Sequence, residues 1–420
     1  MGFASLAEWL AYQETLHPKA IDLGLARIRE VLARLDLPVT RAFTISVAGT
    51  NGKGSCMAML DSILRAQGYR VGCYTSPHIL RYNERIALDG APASDERLVK
   101  AFDRIESVRG DISLSFFEFG TLAALILFSE EDLDFHLLEV GLGGRLDAVN
   151  VVDADIALIA SIDIDHQEWL GDNRESIGFE KAGIIRPGKP VVIGDPDAPS
   201  SVLAVARDAG SPCLRSGVDF SYEVVGQTWT WQGGNQHIES LPWPAIPGDH
   251  QFLNASAVIQ CLSLLDESRT VSREALAKGL KSVRLPGRFQ YFPGDVPVLL
   301  DVAHNPQSVG ILARHLQKHY PGRKVRAVFS VMRDKDIKGI VRLIQDNVDA
   351  WYLAPLNMTR AASPVELGEI LHNAGVERVN SGFGSVGEAL EAARSASGPG
   401  DMVLVFGSFF LVSDYLAMVA

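Results

Sequence analysis

The segment VAGTNGKGS (47–55) carries the strongest chemical signal in the sequence. It lies between an apolar, β-branched run, FTISV (43–47), and an amphipathic helical pattern at 53–68. A glycine-rich turn between a buried strand and a helix aims backbone N–H groups at phosphate oxygens, and the helix N-terminus adds partial positive charge. Lys53 adds a full charge. The segment predicts a phosphate-binding loop; the alternative is a glycine-rich turn with a solvated lysine.

The sequence of this loop differs from the common GxxxxGK[ST] pattern. Only two residues separate Gly49 from Gly52, and Gly54 follows Lys53 where a hydroxyl that binds magnesium is usual. Magnesium prefers oxygen ligands from hydroxyl or carboxylate groups together with nucleotide phosphates. Another segment must therefore supply the missing metal ligand.

Two segments offer oxygen ligands directly after predicted strands. In CYTSPHILRYNERI (73–86), Ser76 could replace the missing hydroxyl, although a Ser-Pro turn is the alternative. In LLEVGLGGRLDAVN (137–150), Glu139 closes an apolar strand, and a buried carboxylate requires a cation or another partner. The glycines that follow would let a ligand approach the backbone. A dinucleotide turn is the competing interpretation of GLGGR, but its spacing is not GxGxxG.

A third region adds a histidine and a lysine. His166 follows a strand in SIDIDHQEWLG (161–171), and Lys181 lies in a helical pattern within FEKAGIIRPG (179–188). By itself a histidine is more often structural, and a lysine is more often solvated. Because both occur in a chain that also has the phosphate loop, we expect them to contribute to a site at the same sheet edge.

The elements that must position these residues alternate between strands and helices, which is typical of βαβ units and a mostly parallel sheet. An apolar helix is expected around 119–128, and a small antiparallel insertion at 218–245. Further strands are predicted in both halves of the chain, at 69–74, 135–140, 155–160, 190–194, 298–304, 325–332, 350–355, 377–380 and 402–408.

A Pro/Gly-rich stretch marks the expected domain boundary. We predict an ATP-binding domain at 1–284, a linker at 285–297, and a C-terminal α/β domain at 298–420. The predicted fold class is α/β, with an N-terminal P-loop ATPase-type domain and a C-terminal Rossmann-like domain.

Composition narrows the class of protein. The 420 residues are 47% hydrophobic and carry a formal net charge of −12, which disfavours nucleic acid and anionic membranes as main partners. The four cysteines form no CxxC pair, and the N-terminus lacks the pattern of a signal peptide. A cytoplasmic monomer is the resulting expectation.

Seven segments, in order, resemble the folylpolyglutamate synthase/dihydrofolate synthase family, a branch of the Mur-ligase-like superfamily. The resemblance runs from about residue 20 to the C-terminus and rests on GTNGKGS, TSPHILRYNERI, EVGLGGRLDAVN, DHQEWLG, EKAGIIRPG, RLPGRF and DVAHNP.

The resemblance implies a role for individual residues. ATP would contact the loop and three further positions: Gly49, Thr50, Asn51, Gly52, Lys53, Gly54, Ser55, Asn254, Arg288 and Asp301. The metal ligands would be Ser76, Glu139 and His166, and the catalytic groups Lys53, Lys181, His166 and His304, with Lys181 carbamylated. The pterin-bearing acceptor would contact three segments: Ile21, Asp22, Leu23, Ser115, Phe116, Phe117, Glu118, Leu146, Asp147 and Ala148. Phe116 and Phe117 could instead be plain core residues.

The implied reaction consumes ATP with Mg²⁺, expected as two ions, and a requirement for a monovalent cation such as K⁺ is left open. The expected substrates are dihydropteroate, tetrahydrofolates and L-glutamate, joined through an acyl phosphate. The segment IDLG (21–24) resembles the bacterial bifunctional form. Alternatives are folylpolyglutamate synthase activity alone, a Mur-type amino-acid ligase, which usually has Thr or Ser directly after the loop lysine, and a non-catalytic nucleotide-dependent switch.

Overall fold

Two sheets of mostly parallel strands organise the chain in this computed structural model, which describes residues 2–19, 21–39 and 41–419. Contacts between residues group 1–245 with 251–284 in a first unit, and 246–250 with 285–420 in a second. The stretch 285–297, predicted as a linker, contains a strand that pairs within the sheet of the second unit.

The first unit is built on an eight-stranded sheet in the order β4-β3-β2-β5-β1-β6-β7-β8, in which only the β2–β3 and β3–β4 pairs are antiparallel. Its strands are β1 (Phe43–Ala48), β2 (Val71–Tyr74), β3 (Ile86–Leu88), β4 (Ala91–Pro92), β5 (Phe135–Glu139), β6 (Ile156–Ile159), β7 (Val191–Ile193) and β8 (Cys213–Arg215). A separate antiparallel sheet contains β9 (Phe220–Val225), β10 (Thr228–Gly233) and β11 (Gln236–Pro242). The predicted insertion at 218–245 is therefore confirmed.

Helices cover the large sheet and connect its parallel strands. They are α1 (Leu6–Leu16), α2 (Ala26–Leu35), α3 (Lys53–Gln67), α4 (Asp95–Arg109), α5 (Phe116–Ser129), α6 (Gln167–Leu170), α7 (Arg174–Ala182), α8 (Ser200–Asp208), α9 (His250–Leu262) and α10 (Arg273–Ser282). Short 3₁₀ helices occur at Tyr82–Arg85 and Ala148–Val151. The apolar helix predicted around 119–128 is α5, and every residue from Glu118 to Phe128 is buried, as its continuous apolar sequence requires.

The second unit contains a six-stranded sheet in the order β12-β13-β17-β14-β15-β16, antiparallel only between β12 and β13. Its elements are β12 (Gln290–Phe292), β13 (Val298–Asp301), α11 (Pro306–His319), β14 (Val325–Phe329), α12 (Ile337–Ile344), a 3₁₀ helix (Gln345–Asn347), β15 (Ala350–Leu353), α13 (Pro364–Asn373), β16 (Val379–Asn380), α14 (Val386–Ser395), β17 (Met402–Phe406) and α15 (Phe409–Val419). The predicted α/β class is confirmed for both units. No helix among the described residues combines the length and apolar character that a bilayer crossing needs.

Candidate active site

The phosphate loop follows β1 and ends where α3 begins. Gly52 caps the helix with φ of 88°, a left-handed conformation that side chains other than glycine rarely adopt. Lys53 folds back over the loop, and its Nζ donates to the carbonyl oxygens of Gly49 (2.9 Å) and Thr50 (3.3 Å). Ser55 is buried one turn into the helix. The geometry places a lysine and a helix N-terminus at one point, as a phosphate site requires.

The segment after β6 holds the loop in place. The N–H of Thr50 donates to the carbonyl of Ser161 at 2.6 Å. The Thr50 hydroxyl donates to the carbonyl of Asp163 at 2.9 Å and accepts the Asp163 N–H at 3.0 Å. The Ser161 hydroxyl donates to the carbonyl of Asn51 at 3.1 Å. Because β1 and β6 are parallel neighbours, their carboxyl ends meet, and these hydrogen bonds hold the loop against the segment after β6.

Asn254 on α9 reaches the loop within the same unit. A Cβ added to Gly52 would lie 2.7 Å from Asn254 Oδ1, so only glycine leaves room for this amide. The Asn254 Nδ2 donates to Gln251 Oε1 at 3.0 Å, and both side chains are buried. The structure therefore brings Asn254, predicted as an ATP contact, to the phosphate loop.

We expect Gly52→Ala to lower the free energy of unfolding more than the matched change Gly68→Ala. Gly68, at the other end of α3, has φ of 102°, and no atom lies near the added Cβ. Alanine there should lower the free energy of unfolding only through the strain of a left-handed backbone, by about 1–2 kcal/mol. Alanine at 52 must also displace Asn254, which we expect to add roughly 1 kcal/mol. Urea unfolding of both variants measures the difference, and equal losses would contradict the close approach.

Glu139 ends β5 at the same sheet edge, next to the segment that follows β2. Its carboxylate is only 4% exposed, and Oε2 accepts the backbone N–H of Ser76 at 3.0 Å. A buried carboxylate beside a hydroxyl residue suits a divalent cation that prefers oxygen ligands. No group of three or more His, Cys, Asp or Glu side chains in the described ranges forms a metal cluster.

His166 lies seven residues beyond β6, at the N-cap of α6. Its φ of 52° is unusual for a residue other than glycine, and its N–H donates to the carboxylate of Asp165 at 2.8 Å. Strained backbone of this kind persists where the surrounding structure requires it, and it is common at functional sites.

Lys181 lies in the last turn of α7 and is only 4% exposed. Burial lowers the pKa of Lys181 to about 7, and the Lys53 ammonium lowers it further, while the carboxylates of Asp165 and Asp147 oppose this shift. The chain therefore brings Lys181, Lys53, Asp147 and Asp165 into one electrostatic group. A large share of Lys181 is neutral near pH 7, whereas an exposed lysine would be almost entirely charged.

We expect Lys181→Met to change how stability depends on pH. In the unfolded chain Lys181 keeps its proton to about pH 10.4, and in the folded chain it loses the proton near pH 7. The unfolded state therefore binds more protons between these values, so this lysine makes wild-type stability rise with pH by about 1.4 kcal/mol per unit. Urea unfolding from pH 7 to 10 in CO₂-free buffer measures the difference from Lys181→Met. Lys189→Met, which changes a half-exposed lysine, is the control, and parallel curves for wild type and Lys181→Met would refute the shift.

The glycines of GLGGR allow close packing within the first unit, and the expected approach of a ligand to this backbone stays a prediction. A Cβ on Gly144 would lie 2.8 Å from the carbonyl oxygens of Glu180 and Lys181, and a Cβ on Gly141 would lie 2.7 Å from the Phe117 ring. The Arg145 N–H also donates to the Glu180 carbonyl at 2.7 Å. Gly144 thus lets the end of α7, with Lys181, lie directly against this loop.

The three segments predicted to bind the acceptor meet in the first unit, and Arg27 links two of them. Its guanidinium donates to both the Asp22 carboxylate and, at 3.3 Å, the Glu118 carboxylate. Glu118 is 3% exposed and caps α5 by accepting the Ser115 N–H at 2.8 Å. Burial alone would raise the pKa of Asp22, but the hydrogen bond and charge of Arg27, together with Lys19, outweigh burial and lower the pKa. Ile21 and Leu23 flank Asp22 and are half-buried.

The third acceptor segment is tied to the first by the N–H of Gly24, which donates to the carbonyl of Leu146 at 3.1 Å. Asp147 caps the 3₁₀ helix that begins at Ala148, and its carboxylate accepts the Val149 N–H at 3.1 Å. Burial raises the pKa of Asp147 to about 7, against these N–H donors and the charge of Lys53. Asp147 of this segment is therefore close enough to Lys53 of the phosphate loop for its carboxyl group to respond to the lysine charge.

Phe116 and Phe117 are half-buried rather than enclosed in the core. The Phe117 ring lies 5.7 Å from Tyr74, and the Phe116 ring lies 5.6 Å from Tyr82 and 5.4 Å from the Arg85 guanidinium. Both rings keep exposed area, so both could contact a flat ligand.

The second unit holds the remaining predicted residues at the end of β13. Asp301 accepts the N–H groups of Phe289 (2.9 Å) and Ala303 (2.8 Å). Burial raises the pKa of Asp301 to about 6, and the nearby Arg288 opposes that shift. The Arg288 guanidinium also lies 5.3 Å from the Phe409 ring.

His304 lies in the turn between β13 and α11, close to the same aromatic ring. Its Nδ1 lies 2.9 Å from the carbonyl oxygen of Val302, and its ring centre is 5.9 Å from that of Phe409. Arg288, Asp301 and His304 are therefore brought together within the second unit.

Sequence reasoning missed two residues of the first unit. Arg27 bridges two predicted acceptor contacts, and Asp165 contributes to the field at Lys181. Asp165 directly precedes His166, so an acidic residue beside a predicted ligand was the available signal. Arg27 has no such signal, since one arginine in an amphipathic helix is usually solvated.

A protein-family model described as Mur ligase, glutamate ligase domain, matches residues 287–409. The dihydrofolate synthase/folylpolyglutamate synthase of Escherichia coli K12 is 43% identical over 414 residues, which cover 99% of this chain and 95% of that protein. The chain belongs to the dihydrofolate synthase/folylpolyglutamate synthase family. It is therefore an ATP-dependent ligase, and the predicted family and enzyme class are confirmed.

Solved structures of this family share the fold over the whole chain. E. coli FolC in complex with DHPP and ADP has a TM-score of 0.92 at 43% identity, covering 99% of this chain and 98% of that one. A bifunctional folylpolyglutamate synthase/dihydrofolate synthase with Mn, AMPPNP and L-glutamate bound has a TM-score of 0.90 at the same identity and coverage. The match favours a folate ligase over a Mur-type amino-acid ligase or a nucleotide-dependent switch. The roles of individual residues stay predictions.

Proposed function

We propose that this chain joins L-glutamate to dihydropteroate, which makes dihydrofolate, and to tetrahydrofolates, which extends their γ-linked glutamate chain. The observation that carries the proposal is the meeting, in one unit, of a phosphate loop, a buried carboxylate at Glu139, and three predicted acceptor segments, two of which Arg27 links. The relatives with DHPP and ADP, and with AMPPNP, Mn and L-glutamate, support these substrate classes.

The chemical problem is that a carboxylate is a poor acyl donor, because its leaving group would be oxide. Attack of the acceptor carboxylate on the γ-phosphorus of ATP converts that oxygen into phosphate and releases ADP. The loop from Gly49 to Ser55 would hold the phosphates, with its N–H groups and Lys53 neutralising charge on the transferred oxygens. The amino group of L-glutamate then attacks the acyl carbon and phosphate leaves.

Ser76, Glu139 and His166 would hold the Mg²⁺, expected as two ions. The bound metal would neutralise phosphate charge during transfer. We extend the proposal to a monovalent cation such as K⁺, which a comparison of turnover in K⁺ and in tetramethylammonium salts tests directly.

Lys181 would support this metal site as a carbamate. Its neutral amine attacks CO₂, a C–N bond forms and one proton is released, so a cation becomes an anion beside the phosphate loop. The pKa of about 7 favours this step, because only the neutral amine is nucleophilic.

The acceptor would contact Ile21 to Leu23, Ser115 to Glu118 and Leu146 to Ala148, with Phe116 and Phe117 against its flat rings. Asn254 would contact ATP beside the loop. Arg288 and Asp301 would also contact ATP, and His304 would take part in the reaction. We retain 1–284 and 298–420 as the functional domains, joined at 285–297, and propose that the enzyme is a monomer.

Release of ADP by the purified protein with Mg·ATP and L-glutamate tests the function, with dihydropteroate and a tetrahydrofolate supplied separately and products identified by mass. We expect glutamate addition to both acceptors. Addition to one only would restrict the enzyme to that synthase, and no ADP release with either would overturn the proposal. Light scattering of the same sample measures the oligomeric state.

A further inference from the structure

Arg85 connects the segment of Ser76 to the aromatic acceptor contacts, yet neither the metal site nor the acceptor site described above uses it. It ends the 3₁₀ helix Tyr82–Arg85, and its carbonyl accepts the N–H of Thr75, the neighbour of Ser76, at 2.8 Å. The carbon at the centre of its guanidinium lies 5.4 Å from the Phe116 ring centre and 5.5 Å from that of Tyr82. Arg85 therefore joins the segment that carries Ser76 through its backbone, and its half-buried guanidinium lies beside a ring predicted to contact the acceptor.

Neighbouring groups hold this side chain without neutralising it. Its Nε donates to Nδ1 of His78 at 2.8 Å, which fixes the plane of the guanidinium. His78 accepts a hydrogen bond only from Nε of Arg85. The two terminal Nη groups of Arg85 have no hydrogen-bond acceptor among the described residues.

Glu84, which directly precedes Arg85 in the sequence, forms hydrogen bonds with other groups. Its Oε2 accepts the N–H of Ile79 at 2.7 Å, and its Oε1 accepts those of Leu80 (2.9 Å) and Arg81 (2.7 Å). Within the described ranges, no carboxylate oxygen lies within 4 Å of the Arg85 guanidinium. A planar fork of N–H donors with its opposite edge open is suited to bind a carboxylate with two hydrogen bonds.

The two proposed acceptors differ in one such group. Dihydropteroate has only the carboxylate that reacts, whereas a tetrahydrofolate that reacts through its γ-carboxylate also carries a glutamyl α-carboxylate that does not react. We propose that Arg85 binds this non-reacting α-carboxylate and so determines how well the enzyme extends folates relative to dihydropteroate. The inference rests on the proposed function and adds a specificity residue to it.

The test compares Arg85→Met and Arg85→Lys with Arg81→Met. Arg81 lies four residues earlier, its side chain is 69% exposed, and it pairs with Asp95 at the surface, so the control removes the same charge without touching the acceptor site. Each protein is assayed with dihydropteroate, with tetrahydrofolate, and with a folate analogue in which the α-carboxylate is replaced by hydrogen while the γ-carboxylate remains.

For Arg85→Met we expect the kcat/KM ratio of tetrahydrofolate to dihydropteroate to fall roughly 30- to 100-fold, mainly through KM, because a charge-assisted bidentate bond is lost. Arg85→Lys should recover part of this ratio, since it restores the charge without the fork. With the wild-type enzyme, kcat/KM for the analogue should be lower than kcat/KM for tetrahydrofolate by about the same factor as Arg85→Met lowers the ratio. Arg85→Met should no longer distinguish the analogue from tetrahydrofolate, while Arg81→Met should match wild type.

Equal losses with both acceptors would overturn the inference and assign Arg85 to a group that both reactions share, such as the transferred phosphate, or to packing of Phe116. Persistent discrimination against the analogue in Arg85→Met would also overturn it. Neither result affects the proposed function, which fails only if wild-type protein releases no ADP with either acceptor.

Discussion

Replacement of Lys53 by alanine is expected to reduce glutamate-dependent ADP formation by roughly 1,000-fold while the protein stays folded. Two effects combine in this loss. The ammonium would neutralise charge on the transferred phosphoryl oxygens, and its bonds to the carbonyls of Gly49 and Thr50 hold the loop in its present shape. ADP release with each acceptor measures the loss, and circular dichroism with urea unfolding measures the fold.

The matched control for this prediction is Lys189→Ala. Lys189 lies in the same unit, is half-exposed, pairs with Asp155 at 2.9 Å, and is not one of the predicted site residues. We expect wild-type turnover from this variant. Wild-type turnover from Lys53→Ala would remove the loop lysine from the mechanism.

Lys181→Ala is expected to lose roughly 100-fold in turnover and to regain part of it when short carboxylic acids are added. The reason is electrostatic. A carbamate at this position would place a negative group beside the metal site, and alanine leaves a buried space that formate or acetate can enter with the same charge. Turnover at increasing formate, compared with chloride at equal ionic strength, measures the rescue.

Two outcomes would contradict a carbamylated Lys181. Full activity of Lys181→Ala without added acid would show that the group is dispensable. Loss without rescue by either acid, in a variant that unfolds at the wild-type urea concentration, would assign the lysine to another role. Lys189→Ala should show neither loss nor rescue.

The local sequence was sufficient to predict the phosphate loop and most of the elements around it. The β-branched run before Gly49, the glycines, and the amphipathic pattern after Gly52 act over a few residues, and each follows backbone preferences that neighbours in the chain decide. The capping box of Ser115 and Glu118 likewise starts α5 through bonds between residues three apart. Family resemblance added the roles of these residues, which the patterns alone left open.

Contacts across the chain were decided by the tertiary structure, because no periodicity encodes which side chains will face each other. Arg27 and Glu118 are 91 positions apart, and they meet only since α2 and α5 pack in the same layer. Gly144 of GLGGR also lets the backbone of α7 approach closely, a contact that the sequence did not predict.

The same limit applies to electrostatics and to the grouping of segments. From the sequence, a lysine in a helical pattern is expected to be exposed to solvent. In the folded chain, burial and the charge of Lys53 lower the pKa of Lys181 to about 7. Residues 246–250 are followed in the chain by residues of the first unit, but their contacts group them with the second unit. One such contact is the ion pair between Asp249 and Lys318, at 2.6 Å. Chain order and hydrophobic pattern determined which strands and helices form, whereas desolvation and long-range packing determined which of their side chains share a site.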